Sequence, residues 1–422
     1  MSDISDYSAV HRELWPNQRA ADQLYAGSPA FGLIKKATDL SYEGIHITPQ
    51  YGRGQGRARG FAKAQSRASA PKYGDFFVKA SDDYATFDLT GKLIRSNKNS
   101  DAFVINTLER ESRDAMNILK RSQHVQLMGD GTATRGAIAA GGIAEAAGLT
   151  TITLANAADV KNFELGQYVT AAATAVGALR DTGAAYPVAT VNLAAGTIVL
   201  TGTAATTSSW AAADFLFSDG DALNAGSDVM LQGFRAWIPD SAPSATTFFG
   251  VNRAVAPELL AGWRFTAAAL STTTILSTIQ AAASQMSRAG QVVMDDLPRV
   301  CLINGEDMGT LMTELEATAA KNETFMRKGN DVDAYYEGVK IFTPIGTVEC
   351  FIEGQQQQGR VMLINPESWT YHTIGAQPEF VEEDGLRMLR KAASDAYETR
   401  LAVHPQLSCD MPVANANILL PT

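Results

Sequence analysis

The sequence predicts an α+β protein organised around one long helix. Three observations predict it. From Asp101 to Met128 there is neither Gly nor Pro. Just before it, Phe76–Ala80 and Tyr84–Leu89 read as a strand pair around the polar turn Ser81-Asp82-Asp83. Downstream, strand patterns alternate with helical ones and then give way to strands alone.

The helix carries a narrow apolar stripe, Ile105, Leu108, Ala115, Leu119 and Leu127, between charged flanks. Asp101 or Asn106 is suited to cap it, because a short side-chain oxygen satisfies free N–H groups of the first turn. At 1.5 Å per residue it is about 40 Å long. So thin a stripe predicts an elongated domain or neighbouring chains along its flanks. The strand pair is marginal alone, so the hairpin Phe76, Phe77, Val78, Tyr84, Phe87 and Leu89 is expected to lie on another subunit.

Composition sets the bounds. Of 422 residues, 45% are hydrophobic and 19% charged, which gives a real core and excludes global disorder. The net charge of −10 argues against a general nucleic-acid binder. Cys301, Cys350 and Cys409 form no CxxC pair and read as buried thiols in a reducing compartment. The first residues show no secretory signal, and no run has the roughly 20 apolar residues a membrane helix needs. A soluble protein made in the cytoplasm is the expectation.

Residues 1–72 read as an N-terminal arm, with a short helix Asn17–Tyr25 stopped at Gly27-Ser28-Pro29. Within it, Arg53, Arg57, Arg59, Lys63, Arg67 and Lys72 stand among glycines with no acid nearby. Two readings fit this local reversal of charge. One is a mobile basic arm that meets phosphates, with salt-sensitive affinity. The other is a solvated loop that pairs with acids of a neighbouring subunit. Residues 73–100 are the hairpin, and 101–148 the helix with a flexible connection. Residues 149–228, rich in Ala, Thr and Gly, break into short β-like runs and predict a small inserted barrel or sandwich. Residues 229–247 supply a strand, Val229–Leu231 with Phe234–Ile238, and a linker. Residues 248–372 form an α/β unit. It has a helix capped by Ser271 or Thr272, a buried strand Val300–Ile303, helices at Glu306–Leu315 and Ala317–Lys328, and strands Gly338–Phe342, Val348–Ile352 and Val361–Ile364. Residues 373–422 return to the first sheet, through a hairpin at Asp384-Gly385 and the strand Tyr397–Val403. That sheet is the expected platform for the long helix.

Nothing points to an enzyme, a cofactor or a metal. None of His11, His46, His124, His372 and His404 lies at metal-ligand spacing from another. GxxxxGK[ST], HExxH and GxSxG are absent.

The order of these parts resembles the major capsid proteins of tailed double-stranded DNA bacteriophages, the Hong Kong 97-type fold. Tyr73–Asn99 resembles their extended loop, Asp101–Met128 their spine helix, and about Phe248–His372 their axial domain. Gly250-Val251-Asn252-Arg253 and the ending from Tyr397-Glu398-Thr399-Arg400 to Pro421 also look like members of that family. The 149–228 block looks like an insertion domain. The resemblance implies self-assembly into pentameric and hexameric capsomers of an icosahedral shell, with closed symmetry repeating one set of contacts. It implies non-specifically packaged double-stranded DNA, a portal, a decoration protein in some members, and no membrane. No long scaffolding segment precedes the arm, so a separate scaffold protein is expected. Some members join Lys to Asn covalently; Lys79, Lys92, Lys98 and Asn365 stand in suitable places, but surface lysines are too common to predict a crosslink. The rival readings are an encapsulin-like nanocompartment shell and a soluble α/β enzyme.

Overall fold

The computed structural model describes residues 4–92, 101–222, 230–288, 296–317, 323–328, 335–375, 377–382, 385–392 and 394–421. Asp101–Met128 is a single 28-residue helix, as its composition predicts. Its apolar side meets a sheet in which Asp83–Thr90 pairs antiparallel with Ala396–Val403 over eight residue pairs. Ala85, Phe87 and Leu89 face Leu108, Met116 and Leu119 from one strand, and Leu401 and Val403 from the other.

The narrow stripe has a different cause from the one the sequence suggested. The chain's own N-terminus covers the helix, so it needs no neighbour there. Residues read as an arm form helices Ile4–Leu14 and Asn17–Tyr25, with Trp15 and Leu24 fully buried. Much of the buried contact is polar. The Ser112 hydroxyl donates to the Leu108 carbonyl, so His11 Nε2 donates to Ser112 Oγ at 2.9 Å. His124 Nε2 donates to the Leu24 carbonyl at 2.8 Å, and Tyr371 donates to Gln123 Oε1 at 3.1 Å. These bonds offset the burial of the groups that make them, while His11 Nδ1 and Trp15 Nε1 stay without a hydrogen-bond partner.

The predicted hairpin does not form. Phe76–Val78 pairs with Ile45–Ile47, while Asp83–Thr90 joins the C-terminal strand. The turn between them is tied elsewhere, with Ser81 N and Oγ both donating to the Pro405 carbonyl. Each strand has an apolar face, and each finds a separate core. Asn106 lies inside the helix Asp101–Met128, so it is not the cap; the side chains of Asp101 and of the end of the loop, including Lys98, lie outside those described.

A seven-stranded mixed sheet forms the second body. Its order is Trp263–Thr266, Ala416–Leu419, Arg360–Ile364, Val300–Ile303, Gly346–Ile352, Tyr335–Thr343, Glu323–Lys328. Helices Ile275–Met286 and Gly305–Ala317 cover one face. The other face packs on Phe31, Trp237, Trp369 and Tyr371. Burial on both faces accounts for the unbroken apolar runs Val300–Ile303 and Val361–Ile364. Several expectations are corrected here. Glu323–Lys328 is an edge strand, not part of a helix, because Tyr335–Thr343 offers it a ladder. Thr274 caps the helix after it, accepting from Ser277 N. The C-terminal strand Ala416–Leu419 enters this sheet rather than returning to the first. Phe234–Trp237 is a short helix, which lets Trp237 reach the Leu407 carbonyl from its ring nitrogen. Glu379–Phe380 and Leu389–Arg390 do not pair with each other; both lie along the same edge of Ala396–Val403.

The Ala/Thr/Gly-rich region closes into a six-stranded barrel, and the barrel begins earlier than predicted. Its first strand is Gly136–Ala146, followed by Leu149–Leu154, Tyr168–Ala172, Tyr186–Asn192, Thr197–Thr201 and Phe215–Ser218. Ala147 and Gly148, both at positive φ, turn the first strand into the second. Ile152, Val169, Ile198, Leu200 and Leu216 fill the interior.

The packing of the long helix makes stability depend on pH. Burial lowers the His124 pKa to about 4, opposed by its bond to the Leu24 carbonyl and helped by Lys120. The folded chain therefore keeps His124 neutral where the unfolded chain takes up a proton. Stability falls as pH drops from the ordinary histidine range towards that value. We expect His124→Gln to lose about 2 kcal/mol less than the parent between about pH 7 and about pH 5, measured by urea unfolding.

Candidate functional site

The part of the chain that finds no core of its own is a projecting arm, roughly residues 41–80. Two short ladders build its stem, Ile45–Ile47 with Phe76–Val78 and Gln50–Gly52 with Lys72–Tyr73. The stem is rooted by Phe76 and Val78, both fully buried, with the Phe76 ring 5.1 Å from Trp237. Beyond Gly52 the arm has no core. It is held by its own backbone, with Ser69 N donating to the Gln55 carbonyl at 2.7 Å. The short helix Phe61–Ser66 buries no residue, and Phe61 is 83% exposed.

This arm carries the basic segment. Arg53, Arg57, Arg59, Lys63, Arg67 and Lys72 are all exposed on it. The six supposed inter-subunit hairpin residues are divided. Phe76, Val78, Phe87 and Leu89 are buried in the chain's own cores, Phe77 is half-buried at the stem, and Tyr84 is exposed beside His404. Residues 53–72 are thus the tip of the arm, and 83–90 belong to the body. The signal was available in part: Ile45 and Ile47 on one side and Phe76 and Val78 on the other frame a stretch without buried apolar residues.

Three of the five histidines sit at the root of this arm, each bonded to an aspartate. Where the chain enters, His372 Nδ1 donates to Asp39 Oδ1 at 2.6 Å, and Leu40 N donates to the Thr373 carbonyl. Across the stem, His46 Nδ1 lies 2.8 Å from Asp75 Oδ1. Where the chain leaves, His404 Nδ1 lies 2.6 Å from Asp82 Oδ1. Thr373 and Pro405 are register partners, so His372 and His404 flank the end of one ladder.

His372 Nε2 is also 2.8 Å from Ser408 Oγ, which completes a Ser–His–Asp relay in geometry. Sequence spacing could not reveal it. Ser408 is 1% exposed, in a strand whose five residues are all buried, so its hydroxyl has no route to a substrate. The relay holds two strands and the arm's incoming root together.

The arginine charges of the largest polar cleft described pair with acids. A cleft of about 400 Å3 separates the long helix from the barrel and includes Asp83, Arg121, Arg135, Glu164 and Asp221. There Arg135 pairs with Asp221 at 2.9 Å and Arg121 with Glu164. Burial first, then Asp221, raises the Asp83 carboxyl to about 6. Among the described residues no cluster of His, Cys, Asp or Glu could hold a metal, and no helix is long and apolar enough to cross a membrane. Asn365 is spoken for: its amide donates to the Asp296 carbonyl and its oxygen accepts from Glu367 N.

No family model and no curated sequence matches this chain. Solved structures do. A chain of the Cyanophage A-1(L) capsid superposes with a TM-score of 0.50 at 13% identity, covering 94% of this chain and 93% of that one. The capsid of a native GTA particle gives 0.44 at 8% identity, covering 92% and 89%. The holo-SrpI encapsulin of Synechococcus elongatus gives 0.39 at 9%, covering 99% and 95%. The last two are too distant to carry an argument; the first shows a shared fold along nearly the whole chain. The fold is a phage-capsid fold, and the Hong Kong 97-type resemblance read from the sequence holds at that level.

Two phenylalanines of the arm, Phe76 and Phe61, separate root from tip. Phe76→Ala should cost the unassembled subunit about 3–5 kcal/mol in urea unfolding. Phe61→Ala should change it by less than about 0.5 kcal/mol, because nothing in its own chain covers that ring.

Proposed function

We propose that this chain is the structural subunit of an icosahedral head shell of a tailed bacteriophage. The observation that carries this reading is a capsid fold along the whole chain with a long arm that its own body leaves uncovered. The long helix and its sheet correspond to the peripheral domain, and the seven-stranded sheet with its two helices to the axial domain. The barrel is an insertion between two parts of the peripheral domain.

The arm is the contact between copies. Its tip, residues 53–72, holds six of the chain's 35 Lys and Arg and none of its 45 Asp and Glu, so the rest of each copy is strongly acidic. An arm of that charge is attracted to the body of a neighbour and repelled by other arms. Covering Phe61 adds roughly 1.5–3 kcal/mol. Charge alone would draw the arm to packaged phosphates as well; the exposed Phe61 ring, which phosphates would leave uncovered, favours the inter-subunit role. In this reading copies close as pentamers and hexamers around double-stranded DNA, with a portal at one vertex, a separate scaffold protein during assembly and, on the outer surface, a decoration protein.

Replacing residues 53–71 with a Gly/Ser linker tests the arm. The variant should remain folded by circular dichroism and sediment as single subunits or small oligomers. Normal shells in negative-stain images would overturn the assignment. Nuclease-protected DNA inside purified shells is expected for a phage head; shells holding protein cargo and no nucleic acid would favour the nanocompartment instead.

A further inference from the structure

Given the arm as the contact between copies, on which this rests, we propose that the cleft between the long helix and the barrel seats the arm tip of a second copy of this chain. Phe61 of that copy lies between Ile118 and Leu165, and the barrel is there to form one wall of the seat.

The cleft gathers what the arm lacks. Tyr84, Ile118 and Leu165 line it, and they are 59%, 60% and 70% exposed. They come from three places: the strand Asp83–Thr90, the helix Asp101–Met128, and the barrel loop that precedes Tyr168–Ala172. Single exposed apolar residues are ordinary; several exposed together in a concave surface with a polar rim mark a contact site. Two further clefts, both bordered by Arg235 and Asp130, are lined by no large exposed apolar side chain. The volume, about 400 Å3, has room for an aromatic ring and the groups beside it.

Charge points to the same occupant. Of the cleft's two cations, Arg121 is held by Glu164 and Arg135 by Asp221. Asp219 is exposed and pairs with no cation among the described residues. Asp83 takes its hydrogen bonds from neutral side chains, among them Gln123 at 2.7 Å and Gln126 at 3.3 Å. The arm tip brings the reverse. Arg57, Arg59 and Lys63 stand within four residues of Phe61, all exposed, in a segment without acids. A ring flanked by cations thus meets an apolar cleft edged with unpaired carboxylates.

The occupant is another copy and not the arm of the same chain. In its own chain the helix Phe61–Ser66 buries no residue and Phe61 stays 83% exposed, so the tip does not lie in the cleft its chain carries. Tip and cleft are different surfaces, so their contact runs head to tail and repeats around a ring. The barrel supplies Leu165 and Asp219; without it the cleft has one side only.

Crosslinking between copies tests the seat. Two full-length variants, Ala62→Cys beside the ring and Leu165→Cys at the cleft, are assembled together and oxidised with copper–phenanthroline. The three native cysteines are buried and stay out of the reaction. A disulfide-linked band of two chains should appear on a non-reducing denaturing gel. It should far exceed the band with Leu193→Cys, an exposed position on the same barrel that does not line the cleft. Adding Phe61→Ala to the Ala62→Cys chain should weaken the band by roughly tenfold or more, the effect of losing one buried ring. Equal bands at Leu165 and Leu193, or a band indifferent to Phe61→Ala, overturn the proposal. So does a link formed within single subunits that carry both cysteines, which would put the chain's own arm in the cleft. Should Leu165→Cys fail to fold, Ile118→Cys on the opposite wall makes the same measurement. No band at the cleft, while the linker variant of residues 53–71 still forms no shells, overturns the seat alone. No band together with normal shells from that variant overturns the arm's role as well.

Discussion

The ladder between Asp83–Thr90 and Ala396–Val403 is the constraint on which the rest depends. It joins the first quarter of the chain to the last across eight register pairs and gives the long helix a surface to lie on. Its alternating pattern puts Ala85, Phe87 and Leu89 under the helix and Tyr84, Thr86 and Asp88 outside. Because the strand leaves the arm at Ser81, the same ladder fixes where the arm returns to the body. The arm can project only because both of its ends are fastened to strands that pack elsewhere.

Much of this was legible locally and much was not. The helix Asp101–Met128 could be read directly, since nothing in it interrupts a helix. The strands Val300–Ile303 and Val361–Ile364 were equally plain, as apolar runs bounded by polar residues. Strand partners were the main loss. Phe76–Val78 and Asp83–Thr90 are neighbours in sequence with a good turn between them, and only the two distant strands that claim them show that they separate. Local pattern gives a strand its faces but says nothing of which edge it will meet.

The barrel's first strand was hidden by composition. Gly136–Ala146 is mostly Ala and Gly, which lack the β-branched and aromatic signature of strands. The polar packing of the helix was hidden too, since His11, Gln123 and His124 look like surface residues until their partners are known. The basic arm was visible as a reversal of charge, and its charge was read correctly. Its boundaries were not, because the stem residues Ile45, Ile47, Phe76 and Val78 carry no charge and resemble any short strand. The Ser408–His372–Asp39 relay joins residues 36 and 333 positions apart and has no trace in local pattern.

One feature of the barrel bears on how such a chain diversifies. Its first and last strands are direct neighbours, with Gly136 opposite Leu216 and Ala137 opposite Phe215. The chain therefore leaves the body and comes back to it at a single point, through two adjacent threads. A unit joined in this way is a cassette: its contents can lengthen, shrink or be exchanged while the ladder, the helix and the seven-stranded sheet keep their places.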